Sequence, residues 1–378
     1  MHPSLWRQSQ LINEAGLYEV SERIYQVRNH DLANVTIIEG DGGLIVVDTG
    51  SKAECAEFAM DLYYAHRPHL PVVAVICTHT HIDHYGGITG ITTPEDVAAG
   101  KVAILAPGEN FGKYTLGENV ICGNVMSRRA AHAFGTLLPH GPQGMVSDGG
   151  GLALPPTGTF AYIEPTDTVT TTGETRTLAG LEFVFQMAPD TEAPEEFHFY
   201  IPELKALTCA ENANHSYEQL GYQSEGPQWR NLYLAAAQEL RDGLPTTGVQ
   251  STGSIETIMA MPLDLFLDYI AVRLNGPKAA GTTLVINLDL TDGDQPGPHS
   301  LHLLNSVLHH RTRHTADPDL TLRLGKAQLA GALLMPGAFT AAADAGRIST
   351  EGDRSVFTTL TGLLDDFSPY FALTNSNA

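Results

Sequence analysis

Positive charge and paired cysteines are scarce in this sequence. The four cysteines, Cys55, Cys77, Cys122 and Cys209, never stand as C-x-x-C. That spacing argues against a thiolate zinc site and leaves scattered buried thiols as the reading. Nothing in it demands an oxidising compartment. Basic residues number 21 against 43 acidic ones, for a formal charge of −22. A surface of that sign repels nucleic-acid phosphates and anionic membranes, so both are discounted as partners. An anionic substrate would need local positive charge, which bound metal ions can supply. Long apolar runs are also lacking, so no membrane insertion is expected. The first residues, Met1 to Gln8, show no basic region followed by an apolar stretch, as a signal peptide would. The expectation is a cytoplasmic protein as written, or a periplasmic or secreted one if a leader has been removed.

The chain has 378 residues, 43% hydrophobic and 17% charged. That is an ordinary globular composition, and the length predicts two or three domains. Val35 to Ile38 and Leu44 to Val47 read as a hairpin across Gly40 to Gly43. Ala53 to Ala65 has helical periodicity, with Phe58, Leu62 and Ala65 on one side. Val72 to Cys77 reads as a strand buried on both faces, and Val102 to Leu105 as another. This is an α/β pattern. Residues Pro107 to Thr159, rich in Gly, Pro and Ser, read as long site-covering loops with a short helix near Met126 to Phe134. Strands are expected again at Phe160 to Ile163, Leu181 to Met187, Phe197 to Ile201 and Ala206 to Cys209. One or two helices follow within Tyr217 to Leu240. A small α+β unit begins at Ile255. It has an amphipathic helix over Leu263 to Leu274, antiparallel strands over Leu284 to Leu290, Leu301 to Leu304 and Leu320 to Leu324, and a final helix over Lys326 to Leu334.

The stretch Thr78-His79-Thr80-His81-Ile82-Asp83-His84-Tyr85-Gly86-Gly87 carries the chemistry. Imidazole and carboxylate are the ligands of zinc and similar divalent ions. His79 and His81 are two apart and project to one side of an extended segment. Asp83 and His84 come as the chain turns into a helix and can face a second metal. Gly86 and Gly87 let the backbone pass close by. The motif also follows a buried strand at its C-terminal edge, where α/β sites gather. Four potential ligands in six positions, so framed, point to a dinuclear metal hydrolase rather than a chance cluster on a solvated loop.

The H-x-H-x-D-H pattern resembles the metallo-β-lactamase superfamily. The resemblance implies a four-layer αβ/βα sandwich with two metals in its central cleft. Asp48 matches an acidic residue that ends an early strand there, a water-orienting or ligand-supporting group. A longer resemblance is to the alkylsulfatase branch, linear primary-alkylsulfatases included. It runs through Ser4 to Gln10, Glu118-Asn119-Val120, Met126 to Arg129, Met187-Ala188-Pro189 and Ala210-Glu211-Asn212. It implies hydrolysis of alkyl sulfate esters such as dodecyl sulfate by water activated between two zinc ions. Glu192 and Glu211 then match further metal ligands. Pro262 to Phe266, Ala271 to Gly276 and Lys278 to Gly281 look like that branch's C-terminal sterol-carrier-like domain, which offers an apolar groove. The implied domains are 1–215 (catalytic), 216–254 (remnant of a helical dimerisation domain and linker) and 255–378 (sterol-carrier-like).

After Asn212-Ala213-Asn214-His215 the chain jumps to what resembles the end of the dimerisation domain. The family's last histidine ligand, its sulfate-gripping arginine segment and its leaving-group acid fall in the part that is absent. The expected ligand set is therefore His79, His81, Asp83, His84, Glu192 and Glu211, with the second zinc site weakened. Asp83 and Asp48 are the expected catalytic carboxylates. Arg128, Arg129 and Asn124 remain as anion contacts. His215 is a candidate improvised ligand. His132, His140 and His198 read as structural or solvent-facing, and His299, His302, His309, His310 and His314 as solvated surface. The family dimer is expected to be weakened or lost. Two other functions stay open: another hydrolase of the same fold acting on a thioester, lactone or phosphoester, and a non-catalytic form that binds metal and alkyl chains.

Overall fold

β-Branched and leucine-rich runs assemble one sheet in the order β1 (Gly16–Ser21), β2 (Ile24–Arg28), β3 (Val35–Glu39), β4 (Leu44–Val47), β5 (Val72–Ile76), β6 (Ala103–Pro107), β7 (Asp167–Val169). This is a computed structural model, describing residues 3–148, 157–212, 228, 231, 234–235, 238–239, 242–249 and 252–371. The first four strands pair antiparallel and β4 to β7 pair parallel. β5, flanked by β4 and β6, buries Ala74, Val75 and Ile76, as its unbroken apolar run predicts. A second, antiparallel sheet has the order β11 (Ala206–Thr208), β10 (Phe197–Ile201), β9 (Leu181–Met187), β8 (Thr175–Leu178).

The two sheets face each other. Phe183, Phe185, Phe197 and Phe199 from the second pack with Ile45, Val47, Ile76 and Leu105 from the first. The other face of the first sheet is covered by α2 (Ala53–Tyr64), whose Ala59, Met60 and Tyr63 pack on Val27, Ile37 and Val46. Among the alternate residues of the second sheet, Glu182 and Tyr200 are exposed. The result is a helix-covered sandwich of two sheets, the α/β architecture expected of the sequence. It forms one compact unit, Met1–Glu256 with Pro369–Ala378; Thr257–Ser368 forms another.

Several local expectations need correction. On α2 the buried stripe is Ala56, Ala59, Met60 and Tyr63, while Phe58 is 48% exposed. Tyr63 settles the rotation, because its hydroxyl donates to Glu39 at 2.7 Å. Phe58 lies instead against the His30 ring. The expected loop region holds more helix than the short one read near Met126 to Phe134: α5 (Phe111–Leu116), a π turn at Gly117–Ile121 and α6 (Gly123–Ala133), which contains most of that short helix. Phe160 to Ile163 is not a strand, although Ala161 N donates to Gly86 O at 2.8 Å. The helices expected over Tyr217 to Leu240, and His215, fall largely or wholly outside the described residues.

In the second unit a five-stranded sheet has the order β14 (Val307–Arg311), β13 (Gly297–Leu304), β12 (Leu284–Leu290), β15 (Leu320–Leu324), β16 (Ser349–Gly352). β12 and β15 are parallel, not antiparallel, and β14 and β16 were not expected. Nor is Lys326–Leu334 the last helix, since Ala338–Asp344 and Ser355–Gly362 follow. His299 is buried on β13 with Nε2 2.9 Å from Gln295 O, so it is not a solvated surface histidine. Among the described residues no helix is long and apolar enough to cross a membrane.

Candidate metal centre

Each sheet delivers half of the centre. β4 ends in Asp48, which takes a left-handed backbone (φ 56°). Its carboxylate accepts from Thr78 N at 2.8 Å, Thr78 Oγ1 at 2.9 Å and His84 Nδ1 at 2.8 Å. The strand-end acid therefore spans to the parallel neighbour and fixes the first residue of the histidine motif. Gly86 and Gly87 are needed for close approach: a Cβ on Gly87 would lie 2.1 Å from Thr49 O, and one on Gly86 2.4 Å from Ser51 O. The motif's helical turn, Ile82–Tyr85, is thus pressed against the loop that carries Asp48.

Hydrogen bonding orients the imidazoles. With its Nδ1–H given to Asp48, His84 turns Nε2 inward. That Nε2 is buried and has no hydrogen-bond partner; it faces Asp83 Oδ2 at 3.4 Å and Glu211 Oε2 at 3.7 Å. Thr78 Oγ1 gives its proton to Asp48 and can accept from His79 Nδ1, 3.0 Å away. His79 Nε2 then points at His81 Nδ1, at 3.1 Å. His81 Nδ1 lies 3.7 Å from Glu192 Oε1. Glu192 comes from the loop between β9 and β10, and Glu211 from the segment after β11. Two groups result, His79/His81/Glu192 and His79/His84/Glu211, each with its ligand atoms within 4.8 Å of one another. An orphaned, buried imidazole nitrogen facing two carboxylates is a poor arrangement for a bare protein and a good one for a divalent cation.

The electrostatics agree. Burial, with His84 and His81 nearby, holds the His79 ring well below the usual imidazole range. At His84 burial opposes the charged ring, but Asp83 and Asp48 outweigh it and raise its pKa well above the ordinary value. Burial, then the Glu211 carboxylate, pushes the Glu192 carboxyl up to about 8. Burial opposes the charged form of Glu211 too, but the nearby His84 ring outweighs that and holds its pKa low. The same carboxylates that favour a proton on the His84 ring would favour a divalent cation in its place.

The structure brings together Asp48, His79, His81, Asp83, His84, Glu192 and Glu211, and engages Arg128 of α6 elsewhere. Arg128 is fully buried. It pairs with Glu239 and donates from Nε to Phe371 O at 3.0 Å. His132 Nε2 lies 2.6 Å from the same Glu239 oxygen. Arg129 is exposed and reaches Met126 Sδ at 3.5 Å; Asn124 is half-buried at the start of the helix. Sequence reasoning missed Thr78 as the hinge between Asp48 and His79. It also missed Asp31, which is buried. Asp31 accepts from Ser51 N at 2.7 Å and Ser51 Oγ at 2.6 Å, pinning the loop after Asp48. Spacing gives no signal for a partner twenty residues away.

Comparison with known proteins agrees with this geometry. The metallo-beta-lactamase superfamily profile matches residues 28–114, alkyl sulfatase dimerisation 203–243 and alkyl sulfatase C-terminal 251–375. A linear primary-alkylsulfatase of Pseudomonas sp. is 30% identical over 559 residues, covering 98% of this chain and 82% of that protein. An (R)-specific secondary-alkylsulfatase of Pseudomonas sp. is 40% identical over 248 residues, 66% of this chain but 35% of its own length. The solved structure of the inverting sec-alkylsulfatase Pisa1 of Pseudomonas sp. superposes with a TM-score of 0.86 at 26% identity, covering 98% of this chain and 88% of that one. With its histidine motif, its two sheets and its three matched segments, the chain belongs to the alkylsulfatase family of the metallo-β-lactamase superfamily.

Proposed function

We propose that the chain is a zinc-dependent hydrolase of alkyl sulfate esters of the dodecyl sulfate type. The observation that carries the proposal is the convergence of His79, His81 and Glu192, and of His79, His84 and Glu211, on shared points. Two bound zinc ions would acidify a water and present positive charge to the ester, which the −22 chain otherwise lacks. The remaining work belongs to the protein. His79, His81 and Glu192 hold one ion; Asp83, His84 and Glu211 hold the other, which lacks one further protein ligand and binds more weakly. Asp48 keeps the proton of His84 on Nδ1, so that Nε2 stays available. Asp83 stands 3.4 Å from that nitrogen, beside the reacting centre.

Arg128 is committed to Glu239, so the anion-gripping role falls to Arg129 and Asn124. Residues 1–215 are the catalytic region, 216–254 the remnant of the dimerisation domain with a linker, and 255–378 a sterol-carrier-like region for the alkyl tail.

The test is zinc content per chain measured beside sulfate release from dodecyl sulfate, in the wild type and in a His79→Ala/His81→Ala double variant. Zinc in the wild type, its loss in the variant and turnover in the wild type alone support the proposal. Zinc with turnover only on thioesters, lactones or phosphoesters would replace the substrate class. Zinc with no turnover at all would mark a non-catalytic metal-binding form.

A further inference from the structure

Glu196 lies outside both candidate ligand groups. It is fully buried at the foot of β10. Its backbone forms an antiparallel bridge with His79, and its neighbour Phe197 N donates to Thr78 O at 3.1 Å. It therefore sits where the second sheet is stitched to the histidine motif. Its side chain reaches two loops. Oε2 accepts from Glu192 N at 3.2 Å and lies 2.9 Å from Thr191 Oγ1. Oε1 accepts from Asn212 Nδ2 at 2.6 Å. Asn212 Nδ2 also lies 2.8 Å from His198 Nε2. One carboxylate thus grips the main chain of Glu192 and the side chain of the residue that follows Glu211.

Those three bonding groups are neutral, and the His198 ring stands further off, with Nε2 3.7 Å from Oε1. Burying an ionised carboxylate on neutral donors is unfavourable unless a positive charge lies near. The geometry points to Glu196 as a positioning residue. It sets the separation of the two carboxylate-bearing loops and holds negative charge behind them, so that Glu192 and Glu211 are preset for cations. This rests on the metal-centre reading. Replacing one of its oxygens by an amide would set a donor against Asn212 Nδ2, or against Glu192 N and Thr191 Oγ1, and one loop would have to move.

The test is Glu196→Gln, with zinc affinity measured by competition against a chelator and thermal unfolding measured with and without zinc. The expected result is zinc binding weakened about 10- to 100-fold. Dodecyl sulfate turnover is recovered by excess zinc, and the metal-free variant melts no lower than the metal-free wild type, because a buried charge has been removed. A merely structural role predicts the opposite for the metal-free protein. Equal zinc affinity in both proteins overturns the inference while leaving the metal centre intact; a wild type that binds no zinc removes both. If Glu196→Gln does not fold, Thr191→Val takes one partner from the same carboxylate. It should weaken zinc binding about 3- to 10-fold, and an unchanged affinity there overturns the inference.

Discussion

His84 shows how one side chain divides its labour. Its Nδ1 is spent on Asp48 at 2.8 Å and its Nε2 is left buried and unpartnered. Asp48→Asn removes the charge that fixes this tautomer. Zinc affinity should fall about 10- to 100-fold with little change in secondary structure; isothermal titration against zinc reads it, and an unaltered affinity would deny Asp48 its supporting role. The same residues set a pH dependence for the metal-free protein. The folded pKa values of His84 and Glu192 are raised above their ordinary 6.5 and 4.5, Glu192 to about 8. A group raised on folding contributes stability below its ordinary value and loses it as pH climbs through the folded one. His79, held low, is neutral when folded, and its small opposing contribution ends within about one pH unit above its ordinary 6.5. Between pH 6.5 and about 8 the metal-free melting temperature should therefore fall as pH rises. Saturating zinc, which needs both groups deprotonated, should reverse the trend. A melting temperature flat across that window would contradict the charges assigned here. At this scale the four motif residues were legible because they are contiguous. Glu192 and Glu211 were reached only through family resemblance, since a carboxylate in a loop carries no spacing signal. Glu196 left no trace, because its importance is made by two loops that meet only in the fold. Arg128 was read by its residue type, and its burial against Glu239 redirected it.

At the scale of elements, the close crossing of the histidine motif over the Asp48 loop depends on glycine. A Cβ at Gly87 would meet Thr49 O at 2.1 Å and Lys52 O at 2.8 Å, backbone atoms that cannot rotate away. Gly87→Ala should cost about 1–3 kcal/mol of stability as an overpacked core does, and zinc affinity should fall with it because the shift is passed to Asp48. Urea unfolding with parallel zinc titration measures both; full stability with full affinity would show the crossing to be slack. The strands Leu181–Met187, Phe197–Ile201 and Leu284–Leu290 were read to the residue. Alternation, or a continuous apolar run, states a strand's burial directly. Rotation of α2 was misread, since a period of 3.6 residues tells only that a stripe exists, and the Tyr63 hydroxyl bond to Glu39 selects which. Helix α5 hid behind a Gly- and Ser-rich composition, while α6 was read as a shorter helix near Met126 to Phe134. The parallel pairing of β12 with β15 is a topological fact that no local pattern encodes.

At the scale of the whole molecule the decisive feature is internal. The linear primary-alkylsulfatase alignment runs over 559 residues where this chain has 378. The dimerisation profile is matched only over 203–243. A long stretch of that relative therefore has no counterpart in this chain. Helical dimer interfaces draw their stability from extended apolar contact, and obligate ones commonly bury more than about 2,000 Å². A match of this length leaves too little chain to rebuild such an area, while both compact units retain cores of their own. The expected state is a monomer or a weak dimer. Sedimentation equilibrium across the micromolar range should return the mass of one chain, 40.6 kDa, with any dimer dissociating on dilution. The metal centre should be indifferent to that dilution, because every group around it comes from a single chain. A dimer that persists at nanomolar concentration would show that the remaining segment, or another face, carries the association.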